Sequence, residues 1–168
     1  MEAEKNLILD KKKLTQLIKR MAYQIFEENY LEKEIVIAGI YEKGYYFAEL
    51  LAKELQKFEG LQVKVIKVEV NKTAKVQPEV TLDVELAELK NKVIVVTDDV
   101  LNTGRAITFG LRPFLNIPFK KLQTAVIVKR NHKVFPVSTD YVGYTMATTL
   151  KEHVEVKFEA KDFGVYLH

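Results

Sequence analysis

Asp98 and Asp99 stand side by side, and Asn102-Thr103-Gly104-Arg105-Ala106 follows close behind. Adjacent carboxylates repel each other unless something positive or hydrogen-bonding neutralises them. The pair therefore suits the two hydroxyls of a ribose diol or a hard divalent cation. Gly104 sits where a glycine lets bare backbone amides approach a phosphate, with a helix start favouring the negative charge. Thr103 adds a hydroxyl. A phosphorylated sugar carries both kinds of group at about this separation.

Such residues need a strand before them and a helix after them. Val93–Val96 is an unbroken β-branched run, as in a strand buried on both faces of a parallel sheet. Ligands of open α/β sheets bind at the C-terminal ends of such strands. Arg105–Leu111 reads as the helix, ending near Pro113. Upstream, Asp10 is an N-cap for a helix whose apolar positions Leu14, Leu17, Ile18, Met21, Ala22, Ile25 and Phe26 keep helical spacing. Ile35–Ile40 reads as a first sheet strand. A helix follows from about Tyr45 to Phe58, with Gly60 as its C-terminal stop. Val63–Val70 suggests a strand, and 71–80, with Pro78, a loop. Thr124–Val128 is another strand. Pro136 makes Val134–Gly143 irregular or an edge strand, and Val154, Val156 and Phe158 alternate as a late strand. Strand-helix-strand order up to Val128 implies an α/β fold with a mostly parallel, right-handed core.

At 168 residues the chain reads as a single domain over 1–168, with a core at about 7–128 and a cap at about 129–168. It has no apolar run of membrane-span length, and its polar N-terminus gives no signal peptide. It contains no cysteine, which excludes disulfides, thiol catalysis and Cys-ligated metals and fits a cytoplasmic protein. The net charge of +3 and the few arginines (Arg20, Arg105, Arg112, Arg130) do not favour RNA as a partner.

The run VIVVTDDVLNTGRA resembles the phosphoribosyl-diphosphate-binding motif of type I phosphoribosyltransferases, in which apolar residues precede two acids and Thr-Gly-Arg or Thr-Gly-Lys follows. The chain is most similar in pattern to the pyrimidine-operon attenuator and uracil phosphoribosyltransferase family, from about Leu7 to Phe158. The resemblance implies a type I phosphoribosyltransferase fold: a central mostly parallel sheet flanked by helices, with a small C-terminal cap or hood. It implies transfer of 5-phosphoribosyl from phosphoribosyl diphosphate to a nucleobase, with release of pyrophosphate. Uracil is the first expectation and hypoxanthine or guanine the alternative. It also implies Mg²⁺ as cofactor and a homodimer or higher homo-oligomer.

Carried onto this chain, the resemblance makes Asp98 and Asp99 the catalytic pair, holding the ribose hydroxyls and Mg²⁺ through water. Asn102, Thr103, Gly104, Arg105 and Ala106 receive the 5-phosphate, with the Arg105 side chain pointing there, to structure or to a subunit partner. Ala106 stands where many relatives carry a second Thr. Glu42, Lys43 and Gly44 align with the pyrophosphate loop, where relatives have Thr-Arg-Gly and often a non-proline cis peptide. The loop 71–80 takes the place of the mobile catalytic lid, offering only Lys72, Thr73 and Lys75. In the cap, Lys129 or Arg130 reaches the base carbonyl or pyrophosphate, Tyr141 stacks on the base and the Val142 backbone reads its edge. His132 reads as a surface or packing residue, and His153 and His168 have no ligand-like spacing.

Two further readings belong to other classes. A catalytically weak protein that senses phosphoribosyl diphosphate or a nucleotide, on RNA in one version, fits the altered lid and pyrophosphate loops. An inactive paralogue kept for assembly would use Tyr45, Tyr46 and Phe47 as a dimer surface, although core packing explains part of that cluster.

Overall fold

The computed structural model describes residues 5–168, so the first four residues of the expected domain lie outside the description. The first strand, β1 (Asn6–Leu9), leads into helix α1 (Lys11–Glu28). Asp10 caps α1 as expected, its Oδ1 accepting from the Lys13 amide at 2.8 Å, a cap contributing about 1 kcal/mol. The periodic apolar face of α1 is buried from Leu14 through Ile25.

Strand β2 (Glu34–Ile40), helix α2 (Lys43–Leu55) and strand β3 (Gln62–Glu69) form the first crossover unit. Helix α2 begins two residues before the expected Tyr45 and ends three before Phe58. Gly60, with φ of 80°, closes the turn beyond it rather than stopping the helix. After loop 71–80 come the short β4 (Thr81–Leu82) and a 3₁₀ turn at Leu86–Leu89. Then come β5 (Val93–Leu101), α3 (Arg105–Leu111), a second 3₁₀ turn at Arg112–Asn116, and β6 (Lys121–Arg130).

The main sheet runs in the order β4-β3-β2-β5-β6-β7, where β7 spans Tyr141–Met146. All pairs are parallel except β3 with β4. Both faces are covered, so β2 and β5 are apolar on each side. Ile35, Ile37, Val93 and Val95 join α1 and α2 in one core. Val36, Ala38, Ile94 and Val96 join Ile107 and Phe114 in the other.

The cap differs from its expected extent at both ends. Residues 131–140 are irregular, but β7 hydrogen-bonds to β6 and extends the main sheet, so the sheet reaches Met146 rather than stopping near Val128. The remainder forms a three-stranded antiparallel sheet with β8 (Val154–Lys157) and β9 (Gly164–Leu167), completed by β1 from the other end of the chain. Asn6 pairs with Leu167, a contact that no local pattern announces. Val156 and Val165 bury against the α1–α2 core, which seats this sheet beside the main one. Among the described residues, no helix is long and apolar enough to cross a membrane.

Candidate active site

Strand β5 continues past its apolar run, so Asp98 and Asp99 lie inside its last turns and not in a solvated loop. Asp98 is only 2% exposed, whereas Asp99 is partly open. The Asp98 Oδ1 accepts from the Asp99 amide at 2.9 Å. Burial and repulsion from Asp99 together outweigh the attraction of Lys72 and push the Asp98 carboxyl up to about 8. Strands β2 and β6 cover both edges of β5 and the two cores cover its faces, leaving its C-terminal end open.

The strand end and the phosphate turn together line a cavity of about 310 Å³ that runs from Asp98 to Ile107, with Lys72 and Val154 closing it. Gly104 opens α3 with φ of 86°, and a Cβ there would lie 2.6 Å from Val137 Cγ1, so only glycine fits. The hood backs the turn directly: the amides of Val134 and Phe135 donate to the Thr103 carbonyl at 2.8 and 3.0 Å. Thr103 itself is exposed on the cavity wall, and its hydroxyl accepts from the Arg105 amide at 3.3 Å. The Asn102 Oδ1 is engaged, accepting from Arg130 Nη1 at 2.8 Å. The Arg105 side chain turns to structure. It donates to the Asn71 carbonyl at 2.8 Å, to Gln77 Oε1 at 3.3 Å and to the Ala74 carbonyl, and it lies over the Phe109 ring.

Gly44 is the pyrophosphate-loop residue that reaches this site. A Cβ on it would sit 2.5 Å from the Thr97 carbonyl and 2.9 Å from Asp98 Cα, so its lack of a side chain brings the start of α2 against the acids. Thr97 Oγ1 locks that approach by donating to the Gly44 carbonyl at 2.8 Å. The Tyr41–Glu42 peptide is cis. Glu42 and Lys43 do not join Asp98. They line a separate cavity of about 410 Å³ with Tyr46, Phe158 and Phe163. Glu42 accepts from the Tyr46 hydroxyl at 3.0 Å, and the Lys43 ammonium donates to the Val156 carbonyl of β8 at 2.6 Å. This larger cavity carries none of the acidic-pair chemistry. Phe47 is buried in the core, leaving only Tyr46 of the Tyr45–Phe47 cluster exposed.

Two expected base contacts have other partners. Arg130 is buried and donates to Thr148 Oγ1, Asn102 Oδ1 and the carbonyls of Thr149 and Glu152. A guanidinium that spends four of its five donors on these contacts ties the end of β6 to the hood. Tyr141 is 2% exposed and its hydroxyl meets Glu28 and Gln123 at 2.8 and 3.0 Å, below the sheet's C-terminal end. Burial, then Glu28, pushes its phenol well above the ordinary range. Its ring packs in the α1 core and cannot stack on a ligand. Val142 is partly buried against the opposite core, and its carbonyl faces Arg20 at 3.5 Å. Lys129 does not line the cavity but pairs in register with Leu101, which does. His132 meets Thr148 Oγ1 at 3.2 Å, in keeping with a packing role.

The residue that spacing did not single out is Lys72. Its ammonium lies 3.2 Å from Asp98 Oδ1 and 3.4 Å from Oδ2. Burial pulls its pKa down, but Asp98 and Asp99 more than offset this and hold it charged. The chemistry of Lys72 was visible as one of three polar residues in the loop, whereas its target, 26 positions away, was not.

Asp98 thus already holds a cation, and with Asp99 it offers hard oxygens on a cavity wall. Mg²⁺ takes one or two carboxylates and fills its remaining positions with water and phosphate oxygens, so the pair fits that ion. Among the described residues, no group of three or more metal-ligating side chains offers an all-protein cage.

Residues 5–163 match the phosphoribosyl transferase domain. The chain is 32% identical over 162 residues to the bifunctional protein PyrR of Clostridium acetobutylicum, covering 92% of this chain and 91% of that one. It is 33% identical to the bifunctional protein PyrR of Clostridium novyi, covering 90% and 89%. Its fold is similar to a hypoxanthine phosphoribosyltransferase of Trypanosoma cruzi, with TM-score 0.78 at 16% identity over 97% of this chain and 96% of that one. A hypoxanthine-guanine phosphoribosyltransferase of Bacillus anthracis gives TM-score 0.73 at 20% identity, covering 87% and 84%.

Proposed function

The chain belongs to the type I phosphoribosyltransferase family, and from that premise we propose that it transfers 5-phosphoribosyl from phosphoribosyl diphosphate to uracil. The observation that carries this reading is the joining of a buried, cation-seeking Asp98 and a glycine-built phosphate turn in one cavity. The ribose diol donates to Asp98 and Asp99. The 5-phosphate takes the Thr103 hydroxyl and the turn amides. Gly44 lets the start of α2 close against the acids and so fixes one wall of the site. Lys129 reads a base carbonyl.

Chemically, the bond from the anomeric carbon to pyrophosphate lengthens first and leaves positive charge on the sugar. A base nitrogen then forms the new bond, and pyrophosphate leaves with its electron pair. No side chain acts as nucleophile. The acids hold the sugar in line and oppose its developing positive charge, which makes catalysis a matter of positioning and electrostatics. Mg²⁺, held by Asp98 and Asp99 through water, would supply neutralisation of the departing pyrophosphate.

The test is pyrophosphate release with phosphoribosyl diphosphate, Mg²⁺ and each of uracil, hypoxanthine and guanine. Release with uracil supports the proposal, and release with a purine alone transfers the assignment to that base. Binding without release from any base would favour the sensing reading, for which the side chain of Lys72 lying on Asp98 is the specific support.

A further inference from the structure

The pair Lys72–Asp98 is unlike the other ion pairs among the described residues. Its carboxylate side chain is 3% exposed, whereas the carboxylates of the remaining pairs are all at least 20% exposed. An ammonium on a buried carboxylate acts with little screening, while surface pairs contribute little.

The loop is built to deliver it. Val70 and Val80 are buried at its two ends, and Gln77 is buried within it. Asn71 Oδ1 accepts from the amides of Thr73 and Ala74, each at 3.0 Å, folding the segment into a tight turn. Arg105 then grips the carbonyls of Asn71 and Ala74 on either side of Lys72. That arginine belongs to the phosphate turn, so the turn and the loop are joined. The Lys72 stem remains 42% exposed, and its ammonium faces both oxygens of Asp98. A divalent ion entering the acidic pair must use those same oxygens.

We propose that Lys72 is the site's own counter-cation: it fills the acidic pair of the free protein, and a divalent metal must displace it to bind there. The proposal rests on the phosphoribosyl reading of the acidic pair. It deepens that reading by making metal entry a competition between the loop and the ion. Arg105 keeps the loop close during the exchange, because its contacts, to the carbonyls of Asn71 and Ala74 and to Gln77 Oε1, do not include the lysine. The 5-phosphate turn lies outside the competition, so a sugar phosphate can dock before the lysine leaves.

The experiment is calorimetric titration of the full chain with MgCl₂ alone at low ionic strength, above the pH of about 8 at which Asp98 ionises. Wild type, Lys72→Met, Lys75→Met and Asp98→Asn are compared, together with the double variant Lys72→Met/Asp98→Asn. Removing a cation from contact with the acids is expected to tighten Mg²⁺ binding about tenfold in Lys72→Met. Lys75→Met, on the same loop but away from Asp98, should stay within about twofold of wild type, screened by solvent. Once Asp98 is gone, the effect of Lys72→Met should vanish. Equal Mg²⁺ affinity in wild type and Lys72→Met overturns the proposal. So does an equal gain from Lys75→Met, or the absence of Mg²⁺ binding in both wild type and Lys72→Met. Failure of base turnover with these binding results intact would instead overturn the transferase reading alone.

Discussion

Asp98→Asn should make the protein more stable, and more so as the pH rises. The carboxyl of Asp98 is buried and its pKa is raised from the ordinary 3.8 to about 8, first by burial and then by Asp99. A carboxyl with a higher pKa folded than unfolded is penalised for ionising. Below pH 4 it is neutral in both states and the penalty is absent. The penalty grows as pH rises from about 4 to 8 and is complete above that window. At about 1.36 kcal/mol per pH unit, the limiting figure at pH 7 is about 4 kcal/mol. Solvent reaches the partly open Asp99 and screens its repulsion, which reduces this to about 2 kcal/mol. The Asn Oδ1 keeps the bond from the Asp99 amide, so little else is lost. For a chain of this length, about 2 kcal/mol corresponds to roughly 4–8 °C in Tm. The assay is thermal unfolding of wild type and Asp98→Asn from pH 4 to pH 8 with a chelator present. The difference should be near zero at pH 4 and reach its maximum near pH 8. A variant that melts below wild type at pH 8, or by the same margin at both ends, would refute the electrostatic reasoning. Function and stability are opposed at such a residue, as at many binding sites.

Gly44→Ala should lose about 2–3 kcal/mol in chemical denaturation and weaken phosphoribosyl diphosphate binding, because its methyl meets backbone at 2.5 Å from Thr97. An unchanged midpoint would show that α2 can move away from β5 freely. Arg130→Met should lower stability by about 2 kcal/mol, leaving four part-buried acceptors without their donor, yet leave the ratio of kcat/KM for uracil over hypoxanthine unchanged. A large swing in that ratio would restore Arg130 to the base site. Tyr141→Phe should lose about 1 kcal/mol through its bonds to Glu28 and Gln123, with no change in KM for the base. A raised KM would contradict the internal placement of the ring.

The parts of this protein that could be read from sequence are those whose physics is local. The β5–turn–α3 unit announces itself because a β-branched run, two acids and a positive-φ glycine lie within one short stretch. Helix α1 is equally plain, since its cap and its buried face follow from neighbouring residues. Strands β1 and β9 were not legible. Each is four residues long, and they pair across almost the whole chain. The hood boundary failed for a related reason: Pro136 disrupts the local pattern, while the pairing of β7 with β6 is decided by the sheet. Arg130 and Tyr141 show the same limit at the level of single side chains. A cap arginine and a cap tyrosine look like ligand contacts until their partners, Glu152 and Glu28, are known. Lys72 shows the converse, an ordinary loop lysine that the fold carries onto the most buried acid of the site.

The most direct measurement is calorimetric titration with phosphoribosyl diphosphate plus Mg²⁺, on wild type and on the double variant Asp98→Asn/Asp99→Asn. Metal-dependent binding to wild type, lost in a variant that still folds, is the predicted result. Undiminished binding to the double variant, or none to wild type, would contradict the assignment of this cavity to the sugar diphosphate.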